Sequence, residues 1–494
     1  MLTYITLFFV IWHGLPWIQS TPTKEKVFLL VFDGFVHDFE KLTTNMPNFQ
    51  KLASEGVKAK GLIPPFPSAT FPSMTTLSTG LYPESHGIIR NNFYNKDGVY
   101  FRWNGDPKDQ NNSMFFTREP IWLTNQKQKG HSSVYYWPGY YSFDEKPTYH
   151  NQEIRYLGAN ITESQKHITE TFDVYDKDPS LNFMVLYVDA PDTTGHVHGV
   201  TSKEYTARIE SLDKMVLGYL RQKLSKHPEI NLIIVADHGQ INTQKDRFYF
   251  VNDYVPKEML ALYPYGCNSV CALKPSKGHS TDEVIERLEP LLQTGGFRIF
   301  NRESKDTKLQ VPEFLHYTQN ELIPPILILP KPGWILYDTR PSKPRGHRLI
   351  GAHGYDPSNC PEMQSIFYAS GPAFKKGVLM KAFDNVNVYP LLAHLLGIKP
   401  RPNNGSLAVF KHVLKDWNNT EDSDSSNFSL YGSIFTVCVL LVLIAKTRLR
   451  VICVSCICHF CAVIYRLICR PKKKHQYMRV SRDRNEDEEI DDEV

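Results

Sequence analysis

The chain has 494 residues, 41% of them hydrophobic and 22% charged, a composition ordinary for a globular protein and long enough for one large domain or two of usual size. A formal net charge of +4 is too small to support nucleic-acid binding. Six of the nine cysteines lie beyond residue 430, so no disulfide framework organises the main body of the chain.

The first element is a mostly apolar stretch from Leu2 to Trp17, followed by Gln19-Ser20 and a polar start at Thr21. It reads as a secretory signal over residues 1–20. An apolar run, Val27–Phe32, then ends in Asp33-Gly34. A Ser/Thr-rich segment follows, Pro67-Ser68-Ala69-Thr70-Phe71-Pro72-Ser73. A threonine hydroxyl is a poor nucleophile near neutral pH, and metal coordination makes it usable.

A second apolar run, Met184–Val188, leads into Asp189-Ala190-Pro191-Asp192-Thr193-Thr194-Gly195-His196, which sets an acid and a histidine four residues apart. Tyr205, Ile209, Leu212, Val216, Tyr219 and Leu220 then recur at helical spacing, which predicts an amphipathic helix over Ser202–Lys226. A third run, Leu232–Ala236, ends in Asp237-His238-Gly239. Further buried strands are expected near Ile326–Leu329 and Ile366–Ala369, with His353 in a loop between them. Strand, helix, strand implies a parallel sheet covered by helices. Carboxylate and imidazole are zinc ligands, and open α/β sheets keep their sites at the carboxyl ends of the strands. Asp33, Asp192, His196, Asp237 and His238 all follow such strands.

Trp417–Ser426 is polar and reads as a stalk, assigned to residues 416–427. Phe428–Ala445 is 18 residues without charge, at the short end of the ~17–25 that span a bilayer. Lys446, Arg448 and Arg450 place the following side in the cytoplasm. Together with the signal this predicts a single-pass type I protein of the plasma membrane, its main domain outside. Residues 446–494 form a cysteine-rich juxtamembrane segment and an acidic tail. Cys267, Cys271 and Cys360 lie in the exported part, an odd number whose pairing the sequence leaves open. Asn111, Asn160, Asn404 and Asn418 are glycosylation acceptors expected outside the cell.

Phe-Asp-Gly at 32–34, Thr-Phe-Pro at 70–72, Thr-Gly-Leu-Tyr-Pro-Glu-Ser-His-Gly at 79–87, Pro-Asp-x-x-Gly-His at 191–196, Asp-His-Gly at 237–239 and His-Gly-x-Asp at 353–356 occur in that order. Together they resemble the ecto-nucleotide pyrophosphatase/phosphodiesterase family of the alkaline phosphatase superfamily, in its short, single-domain, type I membrane branch. The resemblance implies an α/β alkaline phosphatase-like three-layer sandwich with a mostly parallel central sheet, and a catalytic domain over residues 24–415. It implies two Zn2+ ions, one held by Asp33, Thr70, Asp237 and His238 and the other by Asp192, His196 and His353. Thr70 is then the nucleophile of a covalent mechanism, with Asn91 and a backbone N–H near Thr70 on the phosphate oxygen. Phe71, Trp137, Tyr149 and Tyr187 match substrate-pocket positions.

The expected activity is extracellular hydrolysis of nucleotide phosphodiester or pyrophosphate bonds with release of nucleoside monophosphates. Ser73-Met74, Asn92, Asp189-Ala190 and Val200 depart from common members of the family. None of these is a metal ligand, so they bear on substrate preference. The alternatives are a phospholipase C-like choline phosphodiesterase, whose cationic group an aromatic wall also suits, and a non-catalytic cell-surface interaction protein.

Overall fold

A computed structural model of the chain describes residues 25–102, 110–150, 161–263, 265–340 and 349–417. The signal over residues 1–20, the membrane span, the cytoplasmic tail, nearly all of the stalk, the side chain of Asn111, and Asn160 and Asn418 lie outside them. Among the described residues no helix is long and apolar enough to cross a membrane.

The core is an eight-stranded sheet: β1 (Lys26–Asp33), β2 (Val57–Ala59), β3 (His131–Tyr135), β4 (Tyr149–His150), β5 (Leu181–Pro191), β6 (Ile230–Ala236), β7 (Phe367–Ser370) and β8 (Val378–Met380). The order across it is β8-β2-β7-β6-β1-β5-β3-β4. Only β7 runs against the others. β1 sits between β5 and β6, with Val27 to Phe32 in parallel register with Phe183 to Val188 and with Asn231 to Ala236.

The three central strands are apolar on both faces because helices cover both. Val27, Leu29 and Val31 join one core with Phe183, Val185, Ile233 and Val235. Phe28, Leu30 and Phe32 point the other way, into a second core with Met184, Leu186, Leu232 and Ile234. The first core is closed by α2 (Thr70–Thr79) through Met74 and Leu77, and by the fully apolar inner face of Val388–Leu395. The second is closed by α1 (Pro47–Glu55) through Phe49 and Leu52, by Ile161–Tyr175 and by the segment after Ser202. The result is an α/β three-layer sandwich.

The helix expected over Ser202–Lys226 begins as foreseen, with the Ser202 hydroxyl accepting from Tyr205 N at 3.0 Å, but it is not uniform. An α-helix over Lys203–Ser211 passes through a π-turn, Leu212–Leu217, into Gly218–Leu224. The wider turn brings Asp213 inward beside Leu212 and Val216. Its carboxylate accepts from the backbone N–H groups of Asn48 and Phe49 at 3.2 and 2.9 Å. Asp213 therefore caps α1, whose own N-cap residue, Met46, offers no side-chain acceptor. Ile326–Pro330 is a strand, but it lies in a separate antiparallel sheet between Cys271–Leu273 and Phe297–Asn301.

Candidate metal centre and active site

Parallel strands end on one edge of the sheet, and the acids lie there. Asp33 is the last residue of β1, Asp237 follows β6, and Asp192 follows β5 and opens α3 (Asp192–His198). Gly34 permits this crowding. Its φ is +68°, and a Cβ there would lie 2.7 Å from Cβ of Asp192. His196 is one helical turn beyond Asp192, and its Nε2 lies 3.1 Å from Asp192 Oδ2. His353 arrives from the loop after Gly351–Ala352, with Nε2 3.8 Å from Asp192 Oδ1. Thr70 is the first residue of α2, its hydroxyl 3.3 Å from His238 Nε2.

Two ligand groups result, Asp33–Asp237–His238 and Asp192–His196–His353, with the offered atoms in each within 4.8 Å of one another. The tautomers follow from backbone carbonyls, which can only accept. Nδ1 of His238 faces Gly239 O at 3.0 Å, Nδ1 of His196 faces Gly351 O at 2.8 Å, and Nδ1 of His353 faces Ser68 O at 3.1 Å. Each Nδ1 therefore carries the proton, and each Nε2 turns a lone pair into the site. Around His238 Nε2 stand Asp33 Oδ1 at 3.4 Å and Asp237 Oδ2 at 3.3 Å, both buried and without a hydrogen-bond donor. Lone pairs converging on one buried point repel one another unless a cation joins them. The donor set of carboxylate, imidazole and hydroxyl fits zinc.

The electrostatics agree. Burial, then the charges of Asp237 and Asp192, holds the Asp33 carboxyl well above the usual range. Burial pushes Asp237 up to about 8. Burial, then neighbouring His353, holds His238 well below the usual imidazole range, and burial brings His353 down to about 4. Burial opposes ionisation of Asp192, but in the metal-free site His196, whose imidazole Asp192 raises and whose Nε2 lies 3.1 Å away, outweighs it and holds the carboxyl low; a cation would take the place of that Nε2 proton. Without a cation, burial and mutual repulsion disfavour charge on Asp33 and Asp237.

A cavity of about 600 Å3 opens over these groups, lined among others by Asp33, Thr70, Phe71, Asn91, Asp192, His196 and His353. Asn91 Oδ1 accepts from Phe71 N at 2.9 Å, which directs its amide N–H2 away from that contact. The Phe71 N–H is thereby engaged by Asn91. Phe71 lines the cavity while its ring packs edge-on against Phe101, centroids 5.3 Å apart.

The other aromatic positions differ from expectation. Trp137 does not line this cavity. It is 3% exposed and packs against Trp122 in the first core, centroids 5.4 Å apart. Tyr149 does not line it either. It lies in the edge strand β4, and its hydroxyl donates to Asp178 Oδ2 at 3.0 Å. Tyr187 is buried beneath the site and donates to Asp33 Oδ2, which makes it a support for that carboxylate and not a wall.

Sequence reasoning missed three supports. Gln240 is buried and donates to Asp192 Oδ1 at 3.1 Å. Arg90, next to Asn91, is buried and donates to the carbonyls of Tyr265 at 3.3 Å and Val270 at 2.6 Å, and to that of Gly266. It ties Asn91 to a loop closed by a Cys267–Cys271 disulfide, while Cys360 is free and buried. That loop lines the cavity, and Ser269 Oγ donates to His353 O. Lone pairs of residues brought together over such separations leave no local signal, although Gln240 directly follows the Asp-His-Gly motif.

Comparison with known proteins gives the context. The sequence model of the type I phosphodiesterase / nucleotide pyrophosphatase family matches residues 27–356. The chain is 33% identical over 411 residues to the Xenopus laevis bis(5'-adenosyl)-triphosphatase enpp4, covering 81% of this chain and 83% of that protein. It is 29% identical over 442 residues to the Homo sapiens bis(5'-adenosyl)-triphosphatase ENPP4, covering 88% and 92%. Among solved structures, murine ectonucleotide pyrophosphatase/phosphodiesterase 5, in an inactive threonine-to-alanine form with AMP, matches at TM-score 0.70 and 30% identity. The match covers 79% of this chain and all of that one.

Proposed function

The chain belongs to the type I phosphodiesterase / nucleotide pyrophosphatase family and is a phosphodiesterase, and from that premise we propose that it hydrolyses nucleotide phosphodiester and pyrophosphate bonds outside the cell, with two zinc ions and a covalent intermediate on Thr70. The observation that carries this reading is the convergence of two unpartnered carboxylate oxygens, from Asp33 and Asp237, on His238 Nε2, which itself meets the Thr70 hydroxyl, next to a second group made by Asp192, His196 and His353.

Asp33, Thr70, Asp237 and His238 would hold one zinc ion, and Asp192, His196 and His353 the other. Bound there, the pair supplies Lewis-acid stabilisation of the attacking and leaving oxygens and makes the threonine hydroxyl nucleophilic at neutral pH. Thr70 Oγ1 forms the new bond to phosphorus, and the bond from phosphorus to the leaving oxygen breaks. Water then hydrolyses the phosphothreonine and restores the hydroxyl. Asn91, its Oδ1 occupied by Phe71 N, offers its N–H2 to a non-bridging phosphate oxygen, a donor aimed at charge that grows in the transition state. Phe71 gives the nucleoside end an apolar wall. Tyr187 and Gln240 hold Asp33 and Asp192 in place.

For the rest of the chain the proposal keeps residues 1–20 as the secretory signal, 24–415 as the catalytic domain and 428–445 as the span that anchors it at the plasma membrane. Asn404, exposed on the catalytic domain, remains a glycosylation acceptor in this reading. The test is a hydrolysis panel on the isolated protein, with and without chelator. Zinc-dependent release of nucleoside monophosphates from a dinucleotide or triphosphate supports the reading. Cleavage of phosphocholine esters alone favours the lipid alternative, and no cleavage in zinc-loaded protein favours the non-catalytic one.

A further inference from the structure

Next to the catalytic cavity is a second, smaller one of about 310 Å3, lined by Asp189, Ala190, Pro191, Thr193, Thr194, Val197, His198 and Arg208. Asp189 and Thr193 line both cavities, so the two adjoin at the start of α3, the helix that bears Asp192 and His196. Arg208 reaches this pocket from the Lys203–Ser211 helix. Its guanidinium is half-buried, and among the described residues its one hydrogen bond is a long contact from Nε to Thr194 Oγ1 at 3.4 Å. Arg221, Arg340 and Arg401 each meet a carboxylate, at 2.8, 2.5 and 2.8 Å. Arg208 has no such partner among the described residues. A half-buried cation with most of its five N–H donors unengaged, beside two threonine hydroxyls and a histidine, is equipped to receive an anion.

Direction matters as well. An in-line displacement sends the leaving oxygen away from the attacking one. The attacking hydroxyl of Thr70 lies at the Asp33–Asp237–His238 group, so the leaving group departs on the side of Asp192 and His196, and the smaller pocket opens from that side at Asp189 and Thr193, continuing around the N-terminal end of α3 to Thr194 and His198 on its other face. We propose that the Thr193–Thr194–His198–Arg208 pocket binds the phosphate-bearing end of the leaving group, and that Arg208 is a specificity residue favouring substrates whose leaving group itself carries phosphate. This rests on the phosphodiesterase reading given above.

The experiment compares two substrates on the full-length, zinc-loaded chain. One is a nucleoside triphosphate, cleaved at its α-phosphorus to release pyrophosphate. The other is the p-nitrophenyl ester of a nucleoside 5′-monophosphate, whose leaving group carries no phosphate. Arg208→Gln keeps helix propensity. It is expected to raise KM for the triphosphate roughly tenfold, the size of one charge-assisted hydrogen bond, to weaken inhibition by added pyrophosphate similarly, and to leave the nitrophenyl ester within twofold. Arg208→Lys should recover part of the loss. Equal effects on both substrates, or none on either, overturn the pocket assignment while wild-type turnover keeps the phosphodiesterase reading intact. A zinc-loaded wild type that cleaves neither substrate overturns both.

Discussion

The rings of His238 and His353 stack with centroids 3.7 Å apart and planes 16° from parallel, which joins the two ligand groups into one site. Two imidazolium ions could not share that geometry, and burial holds both residues neutral. Each presents a lone pair at Nε2, so the protein itself prepares the histidines for a cation.

Metal removal should therefore make stability depend on pH. In the metal-free chain the Asp237 carboxyl is raised to about 8, above its value in the unfolded chain. A folded pKa raised in this way contributes stability that is fully present below the unfolded value near ~4 and is lost as pH rises through the folded one. In chelator, the melting temperature should fall between about pH 6.5 and pH 8, above the range in which the depressed imidazoles of His238 and His353 oppose the carboxyl, and added zinc should remove most of the fall. Melts in chelator that are flat across this range would contradict the account of the acid cluster.

Tyr187→Phe removes the hydrogen bond to Asp33 and keeps the ring in the core. Supports of this kind are typically worth ~10–100-fold in metal affinity or activity. The variant should need more zinc for half-maximal activity, with an unchanged fold by circular dichroism. Asp192→Ala and Asp237→Ala remove ligands outright and should abolish turnover.

Asp213→Ala should act on stability alone. It strips the cap from α1 and leaves the Asn48 and Phe49 N–H groups without their acceptor. The expected cost is about 2 kcal/mol, read from thermal or denaturant unfolding. KM and kcat of the remaining folded enzyme should not move, since Asp213 lies on the face of the sheet closed by α1.

Truncation before Phe428 should give a secreted, active protein, because every site residue lies in the unit that ends at Trp417. Retention on the cell, or secretion without activity, would place part of the fold beyond that boundary.

Much of the site could be read from the sequence because buried parallel strands are apolar throughout, so Asp33 and Asp237 stand out where β1 and β6 end. Helical spacing likewise paired His196 with Asp192. The parts that escaped depend on long-range packing. Trp137 follows β3 and Tyr149 opens β4, yet Trp137 turns into the core against Trp122 and Tyr149 bonds Asp178, choices that packing decides. The π-turn at Leu212–Leu217 keeps a normal apolar pattern, and only the contact of Asp213 with α1 exposes it. The Cys267–Cys271 pairing and the Arg90 clamp required knowing how the loop folds back.

The most direct test of the central claim is single-turnover chemistry at Thr70. Thr70→Ala, verified as folded and loaded with zinc, should lose at least ~1,000-fold in kcat on a nucleotide ester, since covalent catalysis fails without the attacking oxygen. Thr70→Ser should keep part of the rate, and acid quench of the wild type during turnover should yield a nucleotidyl group on the peptide that contains Thr70. A zinc-loaded Thr70→Ala protein within tenfold of wild type, with no labelled peptide in the wild type, would show that water attacks phosphorus directly and would contradict the covalent mechanism.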